Sequence, residues 1–595
     1  MSGRGIRRIV LALVAALALA ALALPAGALA KKKKHKTGGK APVTRIETPV
    51  KSEAPSSKRV KESFVRLRAP LPADAGPRPP ACDWITYLRL RDAHGPRKAS
   101  KADAVFVTMP GIFAGAGMLD QFARNVVRVA AKHKRHVEVW TLDRRANCAE
   151  DHVGVDAARQ ARDYRVALNY YYHGAIVQGH RFAGFKSEQD ASYLKAVGLG
   201  QTVRDEYTVI TRGMPAKLRT KKVFCGGHSL GGPLTTAFAN WDFDGNPNTT
   251  ADAGYNQCAG YFALDTRLDL AVGSSGGGGS SSIGIANALA AGSGGSPYVN
   301  AAPFTPETIQ AVMPTAEAAY FEPQARSQVI DMLPDDANFK VTFRTLYSRD
   351  AANAATQIPS VRDFRTTNEV ALGSVFDDNS APITILRASL GTYAGGPVAQ
   401  KSWPAPYGST NTPGGLVDGR NLMIPTAAKG PLYGWWKYNQ FGKPGTPVQM
   451  DDSGMPFTSA ASEITDLRQF ARSVFEAPAD FVEQYFPTRL LAEDESAGQG
   501  DRSGDLQNLR YDGIPKHPSF YADAEHGIED GAAAPPKGPG PSAWIKLPGY
   551  DHIDVATAAQ RQNNGKPEAE STGLWKFAAK VLGPKKKHHK HKHHK

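Results

Sequence analysis

The sequence predicts an α/β protein: a mostly parallel sheet flanked by helices, with a large insertion between its late strands. Three observations predict this. First, short apolar runs at Ala104–Thr108, Val137–Leu142, Lys222–Cys225 and Gly260–Leu264 alternate with helical patterns, such as Phe122, Val126, Val129 and Ala130 within Gln121–Ala131. Second, the rhythm stops after Gly260–Leu264, where residues 267–510 turn Gly-, Ser- and Pro-rich, with GSSGGGGSSS at 273–282. Third, it resumes at Ser519–Ala522 and Trp544–Leu547 and closes on a helix over Glu568–Leu582.

Taken in order, residues 1–30 read as an export signal. Arg4, Arg7 and Arg8 precede an apolar run from Ile9 to Leu24, and Ala28-Leu29-Ala30 supplies a small-residue cleavage pattern. A secreted protein is therefore expected, and no later segment is apolar enough to cross a bilayer. Residues 31–80, rich in Lys, Pro, Ser and Ala, read as a disordered spacer, with order beginning at Asp83–Leu88. The first part of the core is expected over 81–266. Helical patterns occupy much of 155–214, and helical pieces at 305–321 and 460–475 fall in the insertion, 267–510. The second part of the core is expected over 511–583, and 584–595 is a Lys/His-rich tail. An insertion placed this way most simply caps the end of the sheet where reacting groups collect; a separate second domain is the alternative.

The formal charge of +16 belongs to the ends of the chain. Without Arg4, Arg7, Arg8, the lysines of 31–36 and those of Lys585–Lys595, the body carries about +2, so no nucleic-acid groove is implied. The tail suits charge-based association with an anionic cell envelope, weak metal binding through its histidines, or solubility alone. Cys82, Cys148, Cys225 and Cys258 allow two disulfides with three pairings in an exported protein, or a free thiol at Cys225 in its apolar strand.

The chemistry concentrates at Gly227-His228-Ser229-Leu230-Gly231, a G-x-S-x-G pattern. An apolar strand runs into it and a helix, Pro233–Asn240, leaves it, the setting in which a sharp turn exposes a serine hydroxyl. GHSLGG in this context resembles the α/β-hydrolase family, its lipases and esterases in particular. The resemblance covers about 100–265 and 515–582 and implies a serine nucleophile, Ser229, with a histidine base late in the chain. His552, in Pro548-Gly549-Tyr550-Asp551-His552-Ile553-Asp554-Val555 after the strand WIKL, resembles the family's histidine loop, including its H-x-D pattern. The backbone N–H groups of Leu230 and Ile112 are the expected oxyanion donors. Met109-Pro110-Gly111-Ile112 resembles the family's His-Gly-x loop, with Pro110 in place of the histidine.

The acid that would orient the base stays open. On the family's usual pattern Gly527 occupies its place. Asp265, at the end of Gly260–Leu264, matches members that carry the acid one strand earlier; Glu525 and then Asp523 are the alternatives, and Asp265 can also be read as a cap. Asp143-Arg144-Arg145 resembles a charged loop of the family and either braces the site or forms a surface ion pair. Asp242, Asp244 and Asn246 place oxygen atoms at alternate positions, as calcium loops do, although the closing Glu is missing and such clusters also build plain turns. These residues imply hydrolysis of a small-molecule or lipid carboxylic ester through an acyl-enzyme, without a cofactor. An amidase or peptidase, or a catalytically silent envelope-binding protein, are the other readings.

Overall fold

In the computed structural model, residues 44–270, 289, 292–404, 422–446, 448–562 and 565–584 are described. The export pattern at 1–30 and the tail Lys585–Lys595 lie outside these residues, as does the run at 273–282. Among the described residues no helix is long and apolar enough to cross a membrane.

Nine strands form the main sheet: β1 (Arg45–Pro49), β2 (Val60–Arg68), β3 (Trp84–Asp92), β4 (Ala104–Met109), β5 (Val137–Leu142), β6 (Val223–His228), β7 (Gly260–Leu264), β8 (Ser519–His526) and β9 (Ala543–Asp551). Their order is β1-β2-β3-β5-β4-β6-β7-β8-β9. The pairs β1–β2, β2–β3 and β3–β5 are antiparallel, and every pair from β5 across the sheet to β9 is parallel. The central strands β4, β5, β6 and β7 are buried along their whole length. That is why they read as continuous apolar runs rather than alternating ones.

The sheet starts earlier than its sequence suggests, which corrects, over residues 44–80, the reading of 31–80 as a disordered spacer; residues 31–43 lie outside the described residues. In β2, Val60, Glu62, Val65 and Leu67 are buried. This is a partly alternating strand whose outward Lys61, Arg66 and Arg68 share the composition of a spacer. Glu62 pairs with Arg124, which also bonds Asp120 at 2.8 Å, and Arg472 closes on the same Asp120. A buried ion network, not apolar area alone, thus ties the early strands to the rest.

Helix α1 (Asp120–Lys132) connects β4 to β5 and packs on the C-terminal helix Ala569–Leu582. Helix α2 (Leu199–Gly213) precedes β6, and α3 (Gly231–Asn240) joins β6 to β7; these two pack on each other. Since β5 lies on one side of β4 and β6 on the other, right-handed crossovers put α1 on one face and α2 and α3 on the opposite one. The disulfides are Cys82–Cys148 and Cys225–Cys258, so the thiol in β6 is not free.

Between β7 and β8 the chain forms helices including Val312–Phe321, Ala337–Tyr347, Asn368–Phe376 and Leu467–Phe475, with a small three-stranded sheet and a two-stranded ribbon. It belongs to the same contact unit as the sheet, which begins at Thr44.

Candidate active site

Strand β6 delivers Ser229 directly into α3. The turn is so tight that Ser229 takes φ +55°, a left-handed conformation rare outside glycine. The flanking glycines are sterically required: a Cβ on Gly227 would lie 2.4 Å from the Gly231 carbonyl carbon, and one on Gly231 would lie 2.4 Å from the Met109 oxygen. The turn is pinned by Ser229 N–H to Leu264 O at 3.2 Å and Gly232 N–H to Ser229 O at 2.9 Å.

Two further non-glycine residues with positive φ follow strands β4 and β7, Phe113 at 54° and Asp265 at 45°. Asp265 is 0% exposed, directly after β7. Its Oδ1 accepts from Ala524 N–H at 3.1 Å, and its Oδ2 accepts from Ile528 N–H at 2.9 Å and contacts His552 Nδ1 at 2.6 Å. His552, 2% exposed, follows β9 and lines one small pocket with Ser229, Gly111 and Ile112. A carboxylate on Nδ1 leaves Nε2 to exchange protons with whatever occupies that pocket.

The alternative acids have other partners. Asp523 is paired with Arg267 at 2.8 Å and accepts from Trp544 Nε1 at 2.6 Å. Exposed Glu525 accepts from Gly549 N–H at 2.6 Å. A Cβ on Gly527 would fall 2.0 Å from Asp265 Oδ2, so the Asp265 carboxyl fills the space that a side chain at 527 would need.

Several supporting residues were not singled out by the sequence. His228 is buried, and its Nε2 bonds the His552 carbonyl at 2.9 Å. Burial, with His552 adjacent, holds its pKa down to about 3, so it stays neutral and donates that hydrogen. Its place inside GHSLGG was the only signal for it. Asp554, the D of H-x-D, accepts from Ser389 Oγ, Thr465 Oγ1 and Asp551 N–H, and Ile553 N–H bonds Arg387 O, so the insertion grips the histidine loop.

Arg144 decides between the two readings of its charged loop. Its guanidinium is buried and donates to Pro110 O (3.1 Å), Gly111 O (2.5 Å) and Ala114 O (2.6 Å), and to Glu483 Oε2 at 2.6 Å. It stacks on Phe486 at 4.9 Å. Arg144 thereby braces the loop carrying Ile112, and segment 480–483 also holds it through Gly115 N–H to Phe481 O, Gly117 N–H to Asp480 O and Glu483 N–H to Phe113 O. Among the described residues no protein acceptor takes the N–H of Leu230 or Ile112. Burial raises the Glu483 carboxyl to about 7 against the pull of Arg144. Arg144→Lys keeps the charge but loses the planar fork. It should lower kcat for an ester roughly tenfold or more through misplacement of the loop. An unchanged kcat in a folded Arg144→Lys protein would show that the brace is dispensable.

At the possible calcium loop, Asp252 brings a third carboxylate close to Asp242 and Asp244. Their oxygens serve the turn: Gly245 N–H bonds Asp242, Asn246 N–H and Thr249 Oγ1 bond Asp244, and Asn248 N–H bonds Asn246 Oδ1. The turn reading accounts for these contacts.

The parallel strand order, the elbow at Ser229 and the acid–histidine pair beside it decide the fold. The chain has the α/β-hydrolase fold. No protein-family profile matches it, and no curated protein sequence does. Among solved structures it is similar to a bacterial heroin esterase at 16% identity and TM-score 0.17, over 35% of this chain and 46% of that one. The chain therefore spans about half the length of that esterase. It is similar to a soluble variant of monoglyceride lipase from Saccharomyces cerevisiae at 10% identity and TM-score 0.26, over 84% and 93% of the two chains. An α/β hydrolase from Penicillium sp. sh18 gives 10% identity and TM-score 0.27, over 88% and 99%. With scores this low, the α/β-hydrolase assignment rests on the strand order and the elbow.

Proposed function

We propose that this protein is a secreted serine hydrolase that cleaves carboxylic esters through an acyl-enzyme on Ser229. The observation that carries the reading is the 2.6 Å contact of Asp265 with His552, which lines one pocket with Ser229 and Ile112. In this reading His552 Nε2 takes the Ser229 hydroxyl proton as Oγ bonds the ester carbonyl carbon. The oxygen that becomes negative is held by the Leu230 and Ile112 N–H groups. The imidazolium, stabilised by Asp265, gives its proton to the leaving alcohol as the C–O bond breaks. Water, deprotonated by the same Nε2, then releases the acid and restores Ser229.

A fluorophosphonate probe tests this directly. It should label the intact protein on Ser229, and prior labelling should remove turnover of p-nitrophenyl acetate. Label found on another residue, or turnover that survives complete labelling, would refute the assignment.

A further inference from the structure

Resting on that reading, we infer that the insertion builds a binding cavity for an apolar acyl chain, which is the part of the ester this enzyme selects. The cavity holds about 100 Å³ open to a water-sized sphere and lies among helices Val312–Phe321, Ala337–Tyr347 and Asn368–Phe376. Phe113, Phe376, Leu386 and Val482 line both this cavity and the pocket of Ser229, so the two spaces share a wall.

No charged side chain faces the cavity, and its polar side chains are Thr308, Thr315, Thr342 and Tyr347. Each of these hydroxyls is already engaged: Thr308 with Pro303 O, Thr315 with Ala311 O, Thr342 with Asn338 O and Tyr347 with Ser374 Oγ. A ligand with polar groups would find only a few hydroxyls already bonded to the protein, too few to replace its water, whereas a hydrocarbon would gain by leaving water. The cavity thus takes methylenes and methyls.

The position selects the acyl side of the ester over the alcohol side. The leaving alcohol must sit next to His552 Nε2, which protonates it. His552 and Ile553 line the small pocket but not the cavity, whereas Phe113, the residue after the oxyanion donor Ile112, lines both. The chain attached to the carbonyl carbon is therefore the one directed toward the cavity.

The test measures kcat/KM of the full-length protein on p-nitrophenyl acetate, butyrate, octanoate and dodecanoate, and separately on ethyl and octyl acetate. Each methylene buried is worth roughly fourfold, so octanoate should exceed acetate by about tenfold or more, while lengthening the alcohol changes little. Ala311→Phe, which fills the cavity, should reduce the octanoate-to-acetate ratio about tenfold. Phe343→Ala, at a residue that lines the cavity but not the serine pocket, should move the optimum toward dodecanoate. A folding defect cannot shift the two variants in opposite directions. A flat acyl profile, a preference that follows the alcohol instead, or a ratio untouched in both variants would overturn the inference while leaving the esterase reading in place. Absence of all ester turnover together with no fluorophosphonate label on Ser229 would remove the esterase reading, and this inference with it.

Discussion

Ser229→Ala is expected to leave a folded protein whose ester turnover has dropped by roughly three to six orders of magnitude. The hydroxyl is the only atom removed. The contacts that set the elbow are backbone ones, Ser229 N–H to Leu264 O and Gly232 N–H to Ser229 O, and both survive the change. The left-handed φ of +55° costs an alanine about what it costs a serine, so the melting temperature should hardly move. His552→Ala should lose a comparable amount of activity, and the double variant should be little worse than either single one, because in the proposed mechanism nucleophile and base work as a unit. Stability separates the two. Without His552, the fully buried Asp265 carboxyl keeps only the N–H groups of Ala524 and Ile528, so His552→Ala should melt below Ser229→Ala. Esterase activity near wild type in folded Ser229→Ala would end the serine-hydrolase reading.

How far the sequence carried depends on whether a feature is local. The elbow is a local requirement: glycines on both sides of one serine, a strand before and a helix after, all within a few residues. Fully buried strands such as β4 and β7 are equally plain, because each is a short apolar run bounded by turn residues. The early strands were hidden because β2 buries Glu62, and one inward charge breaks the alternation that marks a strand. Its partner Arg124 lies on a helix elsewhere in the chain, so nothing near Glu62 announced the pairing. The disulfide pairing is likewise a matter of distance in space.

The same limit applies to the loop that carries Ile112. Its own sequence, Met109–Gly117, showed that it could approach the serine. What holds it there, Arg144 and the segment Asp480–Glu483, comes from two distant stretches, and a short extended piece inside a Gly- and Pro-rich insertion carries no periodicity of its own. His228 was in view within the motif, but its bond to the carbonyl of His552 spans 324 residues and has no sequence signature.

Asp265→Asn is the second large effect: turnover should fall by about a thousandfold or more, with KM little changed. The carboxylate is fixed by the Ala524 and Ile528 N–H groups, and a third contact, at 2.6 Å, goes to His552 Nδ1. An asparagine must turn its NH2 toward one of these donors. At the Oδ1 position it opposes Ala524 N–H; at the Oδ2 position it opposes Ile528 N–H and also faces Nδ1, which drives the proton to Nε2 and removes the base from the serine. Glu525→Gln should be mild, since Glu525 is exposed and bonded to Gly549 N–H. Asp523→Asn should act on stability through Arg267 rather than on kcat. The crowding at Gly527 sharpens the test: its missing side chain would occupy the place taken by the Asp265 carboxyl. In an Asp265→Gly background that space is open, so adding Gly527→Asp should recover part of the lost turnover, whereas Gly527→Asp alone should disrupt the site. If Glu525→Gln proves the more damaging change, and the double replacement recovers nothing, Asp265 serves the fold and the orienting acid must be sought after β8.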